Sequence, residues 1–242
     1  MIRFFRTVRQ SLLAQGRITR YLTYAVGEIV LVVVGIFMAL QLNNWNAERK
    51  RDQQELGLLA EMRENLEMDL KDCRYNINAN QRYERANVAV LKHLTERTPF
   101  HDSLRLHYGN LFGNTTLTAN TSAYDNLKSI GFDLIRNDSL RRMATALYSE
   151  RYDYLKNLEF EADGKLQMDH VLPQIHEKVQ VDTMWVSGRP YDADALMDDR
   201  VFIGSLRSNL FIRGYMVRIY GTTEKRIMTL MGLIERELEE RR

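Results

Sequence analysis

The stretch on which the reading turns is Ala25-Val26-Gly27-Glu28-Ile29-Val30-Leu31-Val32-Val33-Val34-Gly35-Ile36-Phe37-Met38-Ala39-Leu40-Gln41-Leu42, in which Glu28 is the sole ionisable residue and Gln41 the sole other polar one. At 1.5 Å per residue a helix over these residues is about 27 Å long, against roughly 30 Å for the hydrocarbon core of a bilayer. Tyr21 and Tyr24 precede the run and Trp45 follows it, which puts amphipathic rings at both expected headgroup levels. A transmembrane helix over residues 21–45, in contact with membrane lipid, is the expectation. The downstream flank Gln41-Leu42-Asn43-Asn44-Trp45 has no small-x-small cleavage site, so the segment reads as a retained anchor rather than a removed signal peptide.

Outward from this run, the flanks set an orientation. Arg3, Arg6, Arg9, Arg17 and Arg20 precede it with no acidic residue before Glu28, while Arg49, Lys50 and Arg51 follow. A short basic tail beside a long C-terminal domain places the N-terminus in the cytoplasm and the remainder across the membrane, in the periplasm of a Gram-negative bacterium. Residues 1–20 then form a cytoplasmic basic tail whose Ile2, Phe4, Phe5, Val8, Leu12 and Leu13 alternate with arginines. That pattern suits either a positive-inside flank or an amphipathic helix on the anionic inner leaflet.

The chain has 242 residues, 45% hydrophobic and 27% charged, with a formal net charge of +2, three prolines and one cysteine, Cys73. An intramolecular disulfide is impossible, nucleic acid is not an expected partner because there is no basic excess, and scarce proline favours long helices. From Asn46 to about Thr98 apolar residues recur at helical steps through Leu59, Met62, Leu66, Leu70, Cys73, Ile77, Val88, Leu91 and Leu94. Gly57 and the polar stretch 76–80 are the expected weak points, and Thr98-Pro99 the expected end. A further segment at 103–112 leads into a Gly/Thr/Asn-rich loop at 113–120. A short helix follows, stopped by Gly131, and Asn137-Asp138-Ser139 offers an N-cap for a long helix through at least Phe160. Gly164 and Pro173 punctuate what comes next, residues 181–199 read as a loop or excursion, and 198–242 form a last long helix. The expected fold is all-α: one N-terminal transmembrane helix continuing toward an extramembrane antiparallel helical bundle at 46–242, its first and last long helices packed together.

Two blocks carry a family resemblance. Met1-Ile2-Arg3-Phe4-Phe5-Arg6, Tyr24 to Ile36 and Ala39-Leu40-Gln41-Leu42-Asn43-Asn44-Trp45-Asn46 form the first; Ala123-Tyr124-Asp125-Asn126-Leu127-Lys128-Ser129-Ile130-Gly131 through Arg141 forms the second. Together, over about a quarter of the chain, they resemble an uncharacterised family of Gram-negative membrane proteins defined by a domain of unknown function. Ile130 stands where that family's short helix usually has a second serine before the glycine. The resemblance implies a single-pass inner-membrane protein with a periplasmic helical domain, and no activity.

Residue chemistry narrows the function further. An acid within a spanning helix demands explanation: Glu28 either pairs with a polar group on a partner helix, takes up protons as the membrane acid of ion-driven motor stators does, or snorkels toward Arg17 or Arg20. Gly35 and Ala39 form a small-x-x-x-small pair with Gly27 two turns earlier, a candidate contact face for a second copy or an envelope membrane protein. His93, His101, His107, His170 and His176 lack the i, i+4 spacing of a metal pair, and no cofactor is expected. Leu196 interrupts the calcium-loop spacing of Asp192, Asp194, Asp198 and Asp199, so that stretch reads as a solvated loop with an N-cap. Tyr124, Asp125 and Arg136 are candidates for a ligand or partner site. The expected function is a non-enzymatic binding or scaffold component of an envelope complex, with an accessory subunit of an ion-driven membrane complex using Glu28 as the alternative.

Overall fold

The computed structural model describes residues 18–241, with side chains from Leu22. Most of the expected basic tail, residues 1–17, and the ring of Tyr21 lie outside this description. The chain divides into two compact units, the first ending at Gln54 and the second running Glu55–Arg242. Helix α1, Ile18–Thr95, contributes to both.

In the first unit the large apolar side chains of α1 between Leu22 and Trp45 are exposed, from 44% at Val34 to 73% at Leu31. Apolar residues all round a helix, none of them buried, make this one apolar helix that is a candidate membrane span. Neither expected weak point breaks α1. The cost of Gly57, about 1 kcal/mol relative to alanine, is small beside the packing of the residues around it, and Leu58, Leu59, Met62, Leu66, Leu70 and Cys73 are all buried.

The second unit is helical, with one small hairpin. After α1 come a 3-10 turn at Asp102–Leu104, α2 (Arg105–Tyr108) and α3 (Ser122–Ile130). Gly131 ends α3 at φ 119°, a conformation that side chains with a Cβ rarely adopt, and a Cβ there would also lie 2.7 Å from Asp133 Oδ1. A continuous helical run then covers 138–178: α4 (Asp138–Thr145), α5 (Tyr152–Asn157) and α6 (Leu172–Lys178), joined by π turns at Ala146–Arg151, Leu158–Gly164 and Leu166–Val171. Asn137 caps it by accepting from Ser139 N and Leu140 N at 3.1 and 3.2 Å. Gly164 and Pro173 were expected to interrupt this run, yet it continues through both. A π turn directly before Pro173 changes the regular i to i−4 pairing that proline cannot complete.

Residues expected as a loop at 181–199 instead hold the end of a hairpin and a short helix. Strand β1 (Val179–Thr183) pairs antiparallel with β2 (Ser187–Pro190), and α7 (Ala193–Asp198) follows under the cap of Asp192. The last helix, α8 (Arg200–Glu240), is capped by Asp199, which also accepts from Lys178 Nζ at 2.6 Å.

Side-chain contacts give the directions. Arg63, Arg74, Asn80 and Asn87 of α1 meet Glu235, Glu224, Arg213 and Asn209 of α8, so rising numbers face falling ones. Along the 138–178 run, Arg151, Asp163, Gln167 and Lys178 meet Thr223, Arg213, Asn209 and Asp199 in the same opposed order. Helix α8 is therefore antiparallel to both, as expected for the first and last long helices. The first long helix and the middle run are parallel to each other, which corrects a purely antiparallel arrangement. A long connection, residues 96–137, makes this possible, since a tight turn would force the middle run to reverse.

Two apolar clusters fill the unit. One joins α1 from Leu58 to Cys73 with Leu127, Leu140, Leu147, Tyr220, Ile227 and Ile234. The other joins Val90 and Leu94 with Tyr108, Val171, Ile175, Phe202 and Leu206. Between them along α1 and α8 lies a polar interior.

Candidate functional site

The polar interior exists because an extended segment of main chain lies along the helices there. Peptide groups taken out of water need partners, and α1 supplies them from one face: Asn65, Asp69, Asp72, Asn76 and Asn80 at steps of four, three, four and four. Running against α1, segment 113–122 is bonded in order. Asn80 donates to Thr115 Oγ1 at 3.0 Å and Asn76 to Thr116 O at 3.1 Å. Asp72 accepts from Thr118 N at 2.8 Å, and Asp69 Oδ1 accepts from both Asn120 N and Asn120 Nδ2 at 2.8 Å. Asn65 donates to Ser122 Oγ at 2.8 Å. Gly113 at the head of the segment has no room for a side chain, because a Cβ would sit 2.2 Å from the Tyr83 ring.

Arg213 anchors the same segment from α8. Its guanidinium, fully buried, donates to Gly113 O and to Asn80 Oδ1, both at 2.7 Å, and pairs with the equally buried Asp163. Burial lowers its pKa to about 10. Gln167 donates to Asp163 Oδ1 at 3.1 Å and to Asn209 Oδ1 at 2.8 Å, and Asn209 in turn donates to Leu111 O at 2.6 Å.

Glu159, on the same inward face of the middle run, closes the network. One carboxylate oxygen accepts from Leu117 N at 2.9 Å and from the Tyr220 hydroxyl at 2.6 Å. Burial pushes its pKa up to about 7, the two hydrogen bonds oppose that rise, and the Asp72 carboxylate adds to it. Asp69 is raised for the same first reason, although it also accepts from the Tyr152 hydroxyl at 2.7 Å.

Segment 116–121 and the helix from Tyr148 to Phe160 enclose a cleft of about 330 Å³. Tyr148, Tyr152, Leu155 and Glu159 are its buried lining, while Asp153, Lys156 and Phe160 are exposed at its rim. Tyr148 stacks on Tyr124 with ring centroids 4.7 Å apart and meets Tyr152 edge-on at 5.2 Å. The Tyr148 hydroxyl is buried with no hydrogen-bond partner.

Of the residues singled out from sequence, Tyr124 supports this cleft from behind: its ring backs Tyr148 and its hydroxyl lies 2.8 Å from Ser149 Oγ. Asp125 is exposed, paired with Lys128 at 2.7 Å and with Thr121, a cleft residue, at 2.7 Å. Arg136 is exposed elsewhere, with its main-chain N–H bonded to Glu55 Oε1 at 2.8 Å. In the first unit, helical geometry puts Glu28, Gly35 and Ala39 within about 20° of one line, whereas Gly27 stands about 80° from Gly35. A Cβ at Gly27 or Gly35 would meet nothing within 4 Å. Tyr24 and Trp45 are 45% and 61% exposed. Among the described residues no group of three or more His, Cys, Asp or Glu is placed to hold a metal ion. Cys73 is buried, donates to Tyr220 O at 3.3 Å, and has its thiol pushed up to about 12 by burial.

The family model for a family of unknown function, DUF6090, matches residues 28–173. The chain belongs to that family. Its matched span holds the apolar run from Glu28 on, the α1 polar stripe, the bonded segment 113–122 and every residue lining the cleft. No curated protein and no solved structure matches the chain.

Sequence reasoning missed the polar stripe, the network and the cleft. The spacing Asn65, Asp69, Asp72, Asn76, Asn80 is a helical period as clear as the apolar one, but amides and carboxylates on a helix normally face water. A Gly/Thr/Asn-rich stretch at 113–120 was the complementary signal, because such a segment cannot bury its own main chain without outside partners.

Proposed function

We propose that this protein is a single-pass inner-membrane binding or scaffold component of an envelope complex, without catalytic activity, its N-terminus cytoplasmic and its helical-bundle domain periplasmic. The observation that carries this reading is α1 itself. One uninterrupted helix presents an exposed apolar stretch of bilayer length and then, from Glu55 on, the buried framework of a domain that encloses a ligand-sized cleft. The flanking arginines support the orientation.

The test is purification of the intact chain from native membranes in mild detergent, with the mass of the complex measured and copurifying proteins identified. Recovery from the membrane fraction with a stoichiometric envelope partner, or as a homo-oligomer, supports the proposal; recovery from the soluble fraction, or as a partnerless monomer, contradicts it. A second reading, an accessory subunit of an ion-driven complex, draws on the alignment of Glu28 with Gly35 and Ala39 on one face. A Glu28→Gln change separates the two: loss of assembly indicates pairing, and loss of a proton-dependent process with assembly intact indicates coupling.

A further inference from the structure

The second apolar cluster encloses an ionisable ring that neither the cleft nor the polar network uses. His93, in the last turn of α1, is 3% exposed. Its ring meets Phe100 and Tyr108 edge-on, with centroids 6.4 and 6.1 Å away, and those two rings meet each other at 5.9 Å. Nδ1 lies 3.1 Å from Thr98 Oγ1, whereas Nε2 is buried with no hydrogen-bond partner.

The same residue ties down the turn that follows. Thr98 N donates to His93 O at 3.2 Å, and Arg97 between them stands at φ 51°, a left-handed conformation that is unfavourable for a residue with a Cβ. Thr98 is thus bound to His93 through both main chain and side chain. Tyr108 carries the contact onward. It ends α2, whose Arg105 pairs with Asp182 of β1 at 2.7 Å, and the next two residues hold the hairpin turn: Trp185 N donates to Gly109 O and Asn110 Nδ2 to Trp185 O, both at 2.8 Å.

A neutral imidazole fits this enclosure and an imidazolium does not. The charged ring carries two N–H donors, and the one at Nε2 is left buried without an acceptor among the described residues. The ionisable groups on the elements packed here are Glu96 beyond α1, Asp102, His107 and the Tyr108 phenol, His176 of α6, and Asp198 and Asp199 before α8, these two already paired with Arg97 and Lys178. None of them sets the state of the ring: burial lowers the pKa of His93, and the Thr98 main chain opposes that in part.

We propose that His93 is an acid-sensitive latch on this end of the second unit: protonation drives the ring out from between Phe100 and Tyr108, frees the turn at 96–98 and loosens α2 and the hairpin from α1 while the rest of the unit stays folded. An open form with its ring in water takes up a proton at about 6.5, more readily than the closed form, so the latch is closed at neutral pH and opens as pH falls below that value. Opening uncovers apolar side chains of the second cluster, Leu94 and Tyr108 among them. Glu159 and Asp69 act in the opposite sense, since their raised pKa values make acid stabilise the fold around them, and local opening is therefore separable from global unfolding.

The test is hydrogen exchange on the full chain in nanodiscs at pH 7.5 and pH 5, with labelling times rescaled for the pH dependence of intrinsic exchange. Residues 94–112 and 179–191 should exchange about tenfold faster at pH 5, with residues 58–73 slow at both. His93→Asn puts an amide at the Nδ1 position and cannot ionise, so it should exchange slowly at both pH values; thermal unfolding checks that it folds, and His93→Gln is the second neutral substitute. A chain carrying His101→Asn, His107→Asn and His176→Asn should keep the acid response. No acceleration in the native chain, an acceleration shared by residues 58–73 or lost in that triple variant, or one that persists in both neutral substitutes overturns the latch. Fast exchange at both pH values in both neutral substitutes overturns it as well, because neutrality at position 93 would then not close it.

Discussion

Residues 25–42 and residues 55–94 are stretches of the same helix, yet they follow opposite rules. In the first, apolar side chains stand on every face, interrupted only by Glu28 and Gln41, and the large ones are exposed, with Leu31 at 73%. In the second, the helix is mixed in polarity and most of its inward residues are buried, among them Asn65, Asp69, Asn76, Asn80 and Asn87 at 6% exposure or less. Hydrophobicity therefore does not mark the interior of this molecule. In the second stretch the interior is marked by periodicity, and a stripe of amides and carboxylates is buried beside the leucine stripe because its members bond main-chain and hydroxyl groups of residues 111–122. The run at 25–42, apolar but for Glu28 and Gln41, has no such preferred face and is a candidate membrane span.

The sharpest way to break this comparison is to strand a charge in the second stretch's network. Arg213→Met leaves Asp163 buried without its partner and Gly113 O and Asn80 without a donor, and should destabilise the second unit by about 3–5 kcal/mol. Adding Asp163→Leu should recover part of that loss, because the double replacement leaves no charge unpaired. Denaturant unfolding of both variants in the same detergent measures the difference.

Truncating one leucine in each stretch sharpens it. Leu66→Ala removes a fully buried side chain from the apolar cluster and should cost about 2–5 kcal/mol. Leu31→Ala, in the exposed run, should leave the unfolding midpoint of the second unit unchanged. Equal effects would mean that the two stretches share one environment.

The buried acids predict a pH dependence with a definite sign. Glu159 holds its proton in the folded chain up to about pH 7, whereas its ordinary value is 4.5. Between those values the folded chain binds more protons than the unfolded one, so stability falls as pH climbs from about 4.5 to about 7 and levels off above. The loss is at most about 3 kcal/mol. Asp69 is shifted in the same direction. Glu159→Gln should flatten most of this slope in unfolding measured across that range.

The smallest effect is at a cap. Asn137→Ala removes the acceptor for Ser139 N and Leu140 N and should cost about 1 kcal/mol, with fraying confined to the start of α4 in hydrogen exchange.

How much of this was legible follows from the same contrast. The apolar run, the helical stripe from Leu59 to Leu94, the cap at Asn137, an N-cap somewhere in the aspartate-rich stretch 192–199 and the stop at Gly131 each rest on local chemistry, and local chemistry is written in consecutive residues. The parallel course of α1 and the middle run was not legible, since it depends on how residues 96–137 travel. The Val179-Gln180-Val181-Asp182-Thr183 alternation is a strand signal that the loop reading of 181–199, built on Gly188-Arg189-Pro190, did not take up. Behind the cleft, Tyr124 was singled out, whereas the lining residues Tyr148, Tyr152 and Glu159 were not. Their meaning depends on a segment some thirty to forty residues away that no periodicity connects to them.

The most direct test of the central claim is accessibility along α1. Single cysteines at Ser11, Val33 and Lys50 are probed with a membrane-impermeant maleimide in spheroplasts before and after permeabilisation; Cys73 stays silent because burial holds its thiol protonated and enclosed. The account predicts that Val33→Cys is unlabelled in both states, Lys50→Cys is labelled in intact spheroplasts, and Ser11→Cys is labelled only after permeabilisation. Labelling of Val33→Cys in intact membranes, or of Ser11→Cys and Lys50→Cys from the same side, would contradict it.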